Sequence, residues 1–504
     1  MKKAEVLLVT PRLVVNKGEL NRMQPPLGLM IFAQMLIDDG HTVKIHDFAL
    51  EGWDNHQVID PMNDTLLSVG QSDEDIASLI SDFSPDILAI SVMYSTLMEE
   101  TKNLAKIAKR LNKKTTVVIG GNCISNAVVD YKFSLMDKDS NLPNYITHFD
   151  YDDFDFAITG EAEFGFLKFV NAIANNTDTN KIPGLIKKIG ERKYLINPPE
   201  IIKDLNLLPR PPRHLVNMEG YFDIGQFHSS KSRSNRVLNI MCSRGCPEKC
   251  TFCTTPEVYG QTHRWRSTEN IMNEIKNDVK DFKFGELQFD DDTLTGNRKN
   301  LMKMCAELEK IGLPWCTPNG TKVNYHLKHQ LDMYKAMADS GCYQITLACE
   351  SGVQRVLDDI INKRLPMETI YPSIENAKKA GMLVHTFWIL GFPGETYDEI
   401  QRTIKFAFNS GSDSFTFSIL QPLAGSPIYR KVWRNNLWWD GRESYQNFRN
   451  SLIKVDGFKE PREFERFIHE TNIQGNLSLK EKDPDKFRWK YGEGADETSL
   501  MKQT

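Results

Sequence analysis

Cys246-Pro247-Glu248-Lys249-Cys250-Thr251-Phe252-Cys253 spaces three thiols as C-x3-C-x2-C. Three thiolates on one loop can hold three irons of a [4Fe–4S] cluster and leave the fourth iron open to another ligand. Cys242, just upstream, opens a competing reading, a closed zinc site with ligand spacing C-x3-C-x3-C-x2-C. Structural zinc sites usually draw on two well-separated pairs, and four thiolates from so short a loop would be cramped. Cys242 also reads as a small buried hydrophobe that ends a strand. The remaining cysteines (Cys123, Cys305, Cys316, Cys342, Cys349) are scattered and read as packing residues. Nine cysteines in 504 residues are too few for a disulfide scaffold. The clustered ones suit a thiolate site in a reducing cytoplasm.

Two runs of alternating strands and helices must position this loop and whatever serves it. In the first, strands are expected at Val6–Val9, Thr42–His46, Ile87–Ser91, Thr116–Ile119 and Phe156–Ile158. Helices are expected at Leu27–Asp39, Asp73–Phe83, Lys102–Leu111 and Glu163–Ala174. Continuously apolar strands between helices predict a parallel sheet covered on both faces. Such sheets bind ligands at the C-terminal ends of their strands. Those ends carry Thr10-Pro11-Arg12, Val92-Met93-Tyr94-Ser95, Gly120-Gly121-Asn122 and Gly160-Glu161-Ala162-Glu163. The paired glycines either let a ligand approach the backbone or simply make tight turns.

The second run has strands at Val237–Met241, Glu286–Phe289, Trp315–Pro318, Tyr343–Ala348, Leu383–Leu390 and Ser414–Ile419. Its helices fall at Thr268–Val279, Lys299–Ile311, Leu331–Asp339, Met367–Ala380 and Thr396–Asn409. Six such units predict an open, partial (β/α) barrel, whose chemistry belongs on the loops after the strands. The cysteine loop follows the first of them. The expected organisation is a Rossmann-like domain over 1–180, a linker with a hairpin over 181–230, the barrel over 231–430 and an extension over 431–504. Ile182-Pro183-Gly184 and Leu208-Pro209-Arg210-Pro211-Pro212 bracket the hairpin. The last thirty or so residues are expected to be loosely ordered.

Composition excludes several classes. Lys and Arg number 62 against 67 Asp and Glu, a net charge of −5, which argues against nucleic-acid binding by bulk charge. No apolar run approaches the ~18 residues of a membrane span. The basic start Lys2-Lys3 meets Glu5 at once, and the apolar stretch that follows is too short for a signal peptide. Cytoplasmic residence is the expectation.

Arg244-Gly245-Cys246-Pro247-x-x-Cys250-x-Phe252-Cys253 resembles the signature loop of radical S-adenosylmethionine (radical SAM) enzymes. Phe289-Asp290-Asp291-Asp292-Thr293-Leu294-Thr295, Pro318-Asn319-Gly320, Ser340-Gly341-Cys342, Glu350-Ser351-Gly352 and Gly391-Phe392-Pro393-Gly394-Glu395-Thr396 follow in that family's order. In the first run, Pro25-Pro26-Leu27-Gly28-Leu29, Gly40-His41-x-Val43, Gly120-Gly121 and Gly160-Glu161-Ala162-Glu163 resemble the N-terminal cobalamin-binding domain of one radical SAM subclass. The resemblance spans about residues 4–430. It implies an α/β protein: a Rossmann-like parallel sheet of cobalamin-binding type, then a partial (β/α)6 TIM-like radical SAM barrel, then a mostly helical C-terminal extension.

The resemblance also implies roles. Cys246, Cys250 and Cys253 would ligate the [4Fe–4S] cluster, and S-adenosylmethionine would chelate its open iron. Phe252 would pack near the adenine, Asp291 and Asp292 would accept from the SAM ammonium, and Glu350 would accept from its ribose hydroxyls. Gly391 and Gly394 would let the backbone approach the adenine. Tyr94, Ser95, Gly120, Gly121, Gly160 and Glu161 would border cobalamin. Asp39-Gly40-His41 fits only half of the D-x-H-x-x-G pattern that supplies a lower ligand, and it lies at a helix–strand junction. His41 therefore reads as a turn residue, and cobalamin is expected without a histidine lower ligand.

The activity implied is methyl transfer to an unactivated carbon of a small-molecule substrate, fed by a low-potential donor such as flavodoxin or ferredoxin. Radical cyclisation, ring contraction or rearrangement with the same cofactors is the alternative. A non-catalytic metal or cobalamin sensor is the remote one, and no basic recognition helix supports it. Tyr259, Trp265, His385, Trp388 and Gln421 lie near the expected barrel mouth and read either as packing or as substrate contacts.

Overall fold

A computed structural model describes residues 2–16, 22–59, 66–136, 149–191, 193–225, 228, 232–440 and 449–491. The chain forms two compact units. One comprises residues up to Lys203 with Leu207–Ile224 and Glu257–Tyr259; the other comprises Asp204–Asn206, Gly225–Pro256 and the chain from Gly260 onward.

The first unit contains strands β1 (Glu5–Thr10), β2 (Leu13–Asn16), β3 (Thr42–Asp47), β4 (His56–Val58), β5 (Leu66–Val69), β6 (Ile87–Ser91), β7 (Thr116–Gly120), β8 (Phe156–Ile158), β9 (Leu185–Gly190) and β10 (Lys193–Ile196). Its main sheet runs β10-β9-β8-β7-β6-β1-β3, parallel from β8 to β3. The parallel part is doubly wound, with its switch point between β1 and β6. Alternate residues of β1 explain why the strand is apolar throughout. Leu7 and Val9 enter the core on one face, Val6 and Leu8 the core on the other. The hairpin expected within 181–230 exists, but it is not part of a free linker. β9 pairs antiparallel with β8 and with β10, extending the first sheet.

Pattern reading missed a second small sheet, β2-β5-β4. Its strands are short and only partly apolar. A buried polar network ties it down: Arg12 donates through Nε to Glu100 (2.6 Å) and pairs with Asp73 (3.0 Å), and Ser68 donates to the same Glu100 (2.8 Å). The helix Asn122–Met136 was also missed, because a Gly-Gly pair precedes it and its apolar pattern is weak.

The second unit holds β11 (Val237–Ile240), β12 (Ser243–Arg244), β13 (Arg264–Trp265), β14 (Glu286–Phe289), β15 (Trp315–Lys322), β16 (Cys342–Glu350), β17 (Leu383–Leu390) and β18 (Ser414–Ile419). Six of these form an all-parallel sheet in chain order, β11-β14-β15-β16-β17-β18. This is the expected open (β/α)6 arrangement. Between β15 and β16 the register shifts from Thr317 to Thr321, around Pro318-Asn319-Gly320.

The C-terminal extension is helical as expected, and among the described residues it is ordered as far as Tyr491, further than expected; residues 492–504 lie outside the described residues. Residues 461–482 form one helix, Pro461–Lys482, and a second, Pro484–Tyr491, follows. The long helix lies along β18. Asn472 accepts from the Phe417 amide and donates to the Phe417 carbonyl, both at 2.9 Å, so one side chain pairs both backbone groups of a residue on the outer strand.

Candidate active site

The cysteine loop hangs from the ribbon β12–β13, where Ser243 pairs with Trp265 and Arg244 with Arg264. Gly245 forms its neck at φ +86°. A Cβ there would meet the Thr262 carbonyl oxygen at 2.3 Å, so only glycine fits. The far side of the loop docks on a π-helical turn, Val356–Ile361. Thr251 donates its amide to the Ile361 carbonyl (2.9 Å) and its hydroxyl to the Ile360 carbonyl (2.7 Å). Helix ends leave such carbonyls unsatisfied, and here the loop takes them up.

Sequence reasoning missed the clamp on this loop. Glu248, between Cys246 and Cys250, accepts from Lys322 (2.7 Å), Tyr325 (3.0 Å) and Arg364 (3.0 Å). Burial opposes its charge, but Lys322, Tyr325 and Arg364 together outweigh burial and hold the carboxyl below the usual range. Arg364 also donates to the Pro247 carbonyl at 3.0 Å. A lone Glu in a cysteine loop carries no motif of its own. Its partners lie on β15 and after the π-turn, which no local pattern reveals.

Cys250 and Cys253 lie close enough to oppose ionisation of Cys246, and Cys253 that of Cys250. Burial, the larger cause, pushes Cys246 up to about 11 and raises Cys250 and Cys253 as well. Such thiols ionise when a metal takes the thiolate. Among the described residues no three His, Cys, Asp or Glu side chains close around a single ion. Cluster cysteines bind separate irons and need not converge on one point. Cys242 points elsewhere. Its fully buried sulfur sits 3.7 Å from Met304 Sδ, which removes the fourth ligand of the zinc reading. The donor set thus fits a three-cysteine cluster.

The other expected residues divide. The Phe252 ring stands 6.1 Å from that of Phe392, which joins the cysteine loop to the Gly391–Thr396 segment. Asp292 is exposed beside Cys246 and Cys253 and accepts from the Thr255 hydroxyl at 3.2 Å. Asp291 is turned inward instead. It accepts from the Cys242 amide (3.1 Å to each oxygen) and the Ser243 hydroxyl, and burial pushes it up to about 7. Its carboxylate fastens the root of the cysteine loop. Glu350, at φ +65°, is paired 2.7 Å from the buried Lys363 rather than left open. Burial opposes the charge on Lys363, but Glu350 and the neighbouring Cys250 and Cys253 outweigh it and raise its pKa. The backbone at Gly394 is open: a Cβ there would meet nothing nearer than Lys431 Nζ at 3.9 Å. Gly391 is covered, since a Cβ there would meet Phe464 of the C-terminal helix at 2.8 Å. Trp388 is core, and its indole donates to Thr386 at 3.0 Å.

In the first unit the switch-point loop after β6 presents Met93 and Tyr94, 44% and 55% exposed. The neighbouring Ser95 hydroxyl is buried without a hydrogen-bond partner. At the end of β8 a cavity of about 290 Å³ opens among Ser125, Val128, Lys132, Thr159, Gly160 and Pro199. An exposed aromatic, an orphaned hydroxyl and a cavity at the C-terminal strand ends fit a large ligand of mixed polarity. The glycines serve the turns themselves. A Cβ would meet Val92 O at 2.6 Å from Gly121, Ile158 Cγ2 at 3.1 Å from Gly120 and Pro199 Cβ at 2.5 Å from Gly160. Glu161 is buried and accepts from the Ile202 amide at 2.7 Å. His41 is occupied on both ring nitrogens, by the Ala4 amide (3.1 Å) and by Asn171 (3.2 Å). It is a structural residue, as expected.

The Radical SAM superfamily model matches residues 240–407, and the B12 binding domain model matches residues 14–132. The chain is 32% identical over 482 residues to cytidylyl-2-hydroxyethylphosphonate methyltransferase of Streptomyces wedmorensis, covering 90% of this chain and 86% of that one. It is 29% identical to an uncharacterized methyltransferase of Pyrococcus horikoshii, covering 87% and 85%. Among solved structures, the radical SAM methyltransferase TsrM from Kitasatospora setae, with cobalamin and a [4Fe–4S] cluster bound, shares the fold at TM-score 0.61 and 16% identity, covering 84% of this chain and 73% of that one. The chain belongs to the cobalamin-binding radical SAM enzymes. The cofactors of that family are a [4Fe–4S] cluster, S-adenosylmethionine and cobalamin.

Proposed function

We propose that the protein is a cobalamin-dependent radical SAM methyltransferase that methylates an unactivated carbon of a small-molecule substrate. The observation that carries this reading is one chain holding both a three-thiol loop at the C-terminal face of an open barrel and a doubly wound sheet with an exposed aromatic at its switch point. Similarity over 90% of the chain to a methyltransferase supports it. When bound, the cofactors supply reductive cleavage of SAM to a deoxyadenosyl radical, and a methyl donor in methylcobalamin.

The residues of the chain do the rest. Cys246, Cys250 and Cys253 hold the cluster, and Glu248 and Thr251 fix the loop that carries them. Asp292 accepts from the SAM ammonium, Phe252 and Gly394 border its adenine, and the Glu350–Lys363 pair stands beside Cys250. Tyr94 and Ser95 border cobalamin. Electrons come from a low-potential donor such as flavodoxin or ferredoxin, in the cytoplasm. No helix among the described residues is long and apolar enough to cross a membrane.

The test is a product assay on protein reconstituted with iron, sulfide and cobalamin. Each turnover should yield methylated product, 5′-deoxyadenosine and S-adenosylhomocysteine. Steady 5′-deoxyadenosine without S-adenosylhomocysteine would remove the methyl-transfer step.

A further inference from the structure

Most cations around the C-terminal face of the barrel are matched to a carboxylate. Lys322 and Arg364 meet Glu248, Lys363 meets Glu350, Arg355 meets Glu399 and Arg266 meets Glu274. Arg298 is different. It is half-buried, its Nε is buried with no hydrogen-bond partner, and it makes no ion pair among the described residues. The acidic run just before it cannot serve it. Asp290 pairs with His228, Asp291 binds the Cys242 amide, and Asp292 accepts from Thr255.

Thr295 lies in the same turn, and His263, which precedes β13, packs its ring against that turn. Thr295 is 1% exposed, and its hydroxyl has no partner. His263 accepts the Trp265 indole N–H on Nε2 at 3.1 Å, so in the neutral ring the proton sits on Nδ1. Burial pushes the pKa of His263 down to about 4, which keeps the ring neutral. Gly296 gives the His263 ring its seat against the turn. A Cβ there would lie 2.9 Å from His263 Cε1 and Nδ1, so only a glycine lets the ring approach the turn that joins Thr295 to Arg298.

Buried donors without acceptors are costly, and Arg298 Nε and the Thr295 hydroxyl are two of them. A guanidinium, a hydroxyl and a neutral imidazole N–H offered together suit a tetrahedral oxyanion, which accepts from several directions at once. We infer that Arg298, Thr295 and His263 form an oxyanion subsite that anchors a phosphate or phosphonate group of the substrate. The turn follows β14 and faces the side of the barrel where its chemistry sits. Calling the anion part of the substrate rests on the methyltransferase reading; the subsite itself does not.

The experiment titrates the reconstituted enzyme with inorganic phosphate and with methylphosphonate at fixed ionic strength. Binding is followed by calorimetry and ³¹P line width, and SAM affinity is measured alongside. Saturable binding to the wild type is expected. It should weaken at least tenfold in Arg298→Gln and Thr295→Val, and recover in Thr295→Ser, with SAM affinity within twofold of wild type throughout. Should Arg298→Gln fail to fold, Arg298→Lys keeps the charge, loses the fork and should still bind several-fold more weakly. No saturable binding to the wild type, or unchanged binding in the variants, overturns the proposal. So does loss of SAM affinity with phosphate binding intact, which would assign the donors to the SAM carboxylate. Intact phosphate binding without any S-adenosylhomocysteine would instead count against the methyltransferase reading and leave the subsite standing.

Discussion

Cys250 and Cys242 are separated by one loop neck and differ in everything that matters for metal binding. Cys250 faces Cys246 and Cys253, whereas Cys242 packs on Met304. Cys250→Ala should therefore lose most of the bound iron and all SAM cleavage, and Cys242→Ala should keep its iron. Iron and sulfide analysis checks both, and equal loss in the two variants would return Cys242 to the ligand set. Glu395 makes a prediction about pH. One of its oxygens accepts from the Gly391 (2.8 Å) and Phe392 (3.1 Å) amides; the other is buried without a partner. Burial pushes its pKa from the ordinary 4.5 up to about 7. The protonated form is thus the one folding favours. The contribution of Glu395 to stability is full below pH 4.5 and is lost as pH rises to about 7. At about 1.4 kcal/mol per unit, Glu395→Gln should gain about 3 kcal/mol on the wild type between pH 4.5 and 8. Urea unfolding at the two pH values checks this, and parallel curves would refute it. Residues of this kind mark what the sequence showed and what it hid. The thiol spacing announced itself. The inward turn of Asp291 and the clamp on Glu248 did not, because their partners are distant in the chain.

Among the elements, the strands buried on both faces were the most readable, because burial on both sides makes them apolar without interruption. Val6–Val9 is an example. The elements that escaped notice are held by particular contacts rather than by pattern. β2, β4 and β5 depend on the Arg12–Glu100 network, and the π-turn at Val356–Ile361 looks like any amphipathic helix end. The expected helical extension is there in Pro461–Lys482, but its bounds were not read, because its polar residues face the sheet as well as solvent. Asn472 is the clearest case, since a polar side chain there pairs both backbone groups of Phe417. Asn472→Ala leaves a buried amide and a buried carbonyl of Phe417 unpaired, at a cost of about 2–3 kcal/mol. A lower urea midpoint with increased light scattering is expected; an unchanged midpoint would mean that the helix adds nothing to the edge.

Across the whole molecule, the two α/β units and their order could be read from the alternation of strands and helices, and family motifs spread over both gave the cofactors. The extension was expected to be mostly helical, and it is, but its role could not be read, since its value lies in what it covers. Phe464 rests on Gly391, and Asn472 pairs Phe417 of β18. This has a consequence for how the protein is made. Phe417 and the residue that completes its hydrogen bonding are 55 positions apart. At about 5–20 residues per second, β18 waits several seconds on the ribosome with a bare edge while the rest of the barrel is already present. Nascent chains stalled between these two positions should be the ones that chaperones hold and that stick to one another.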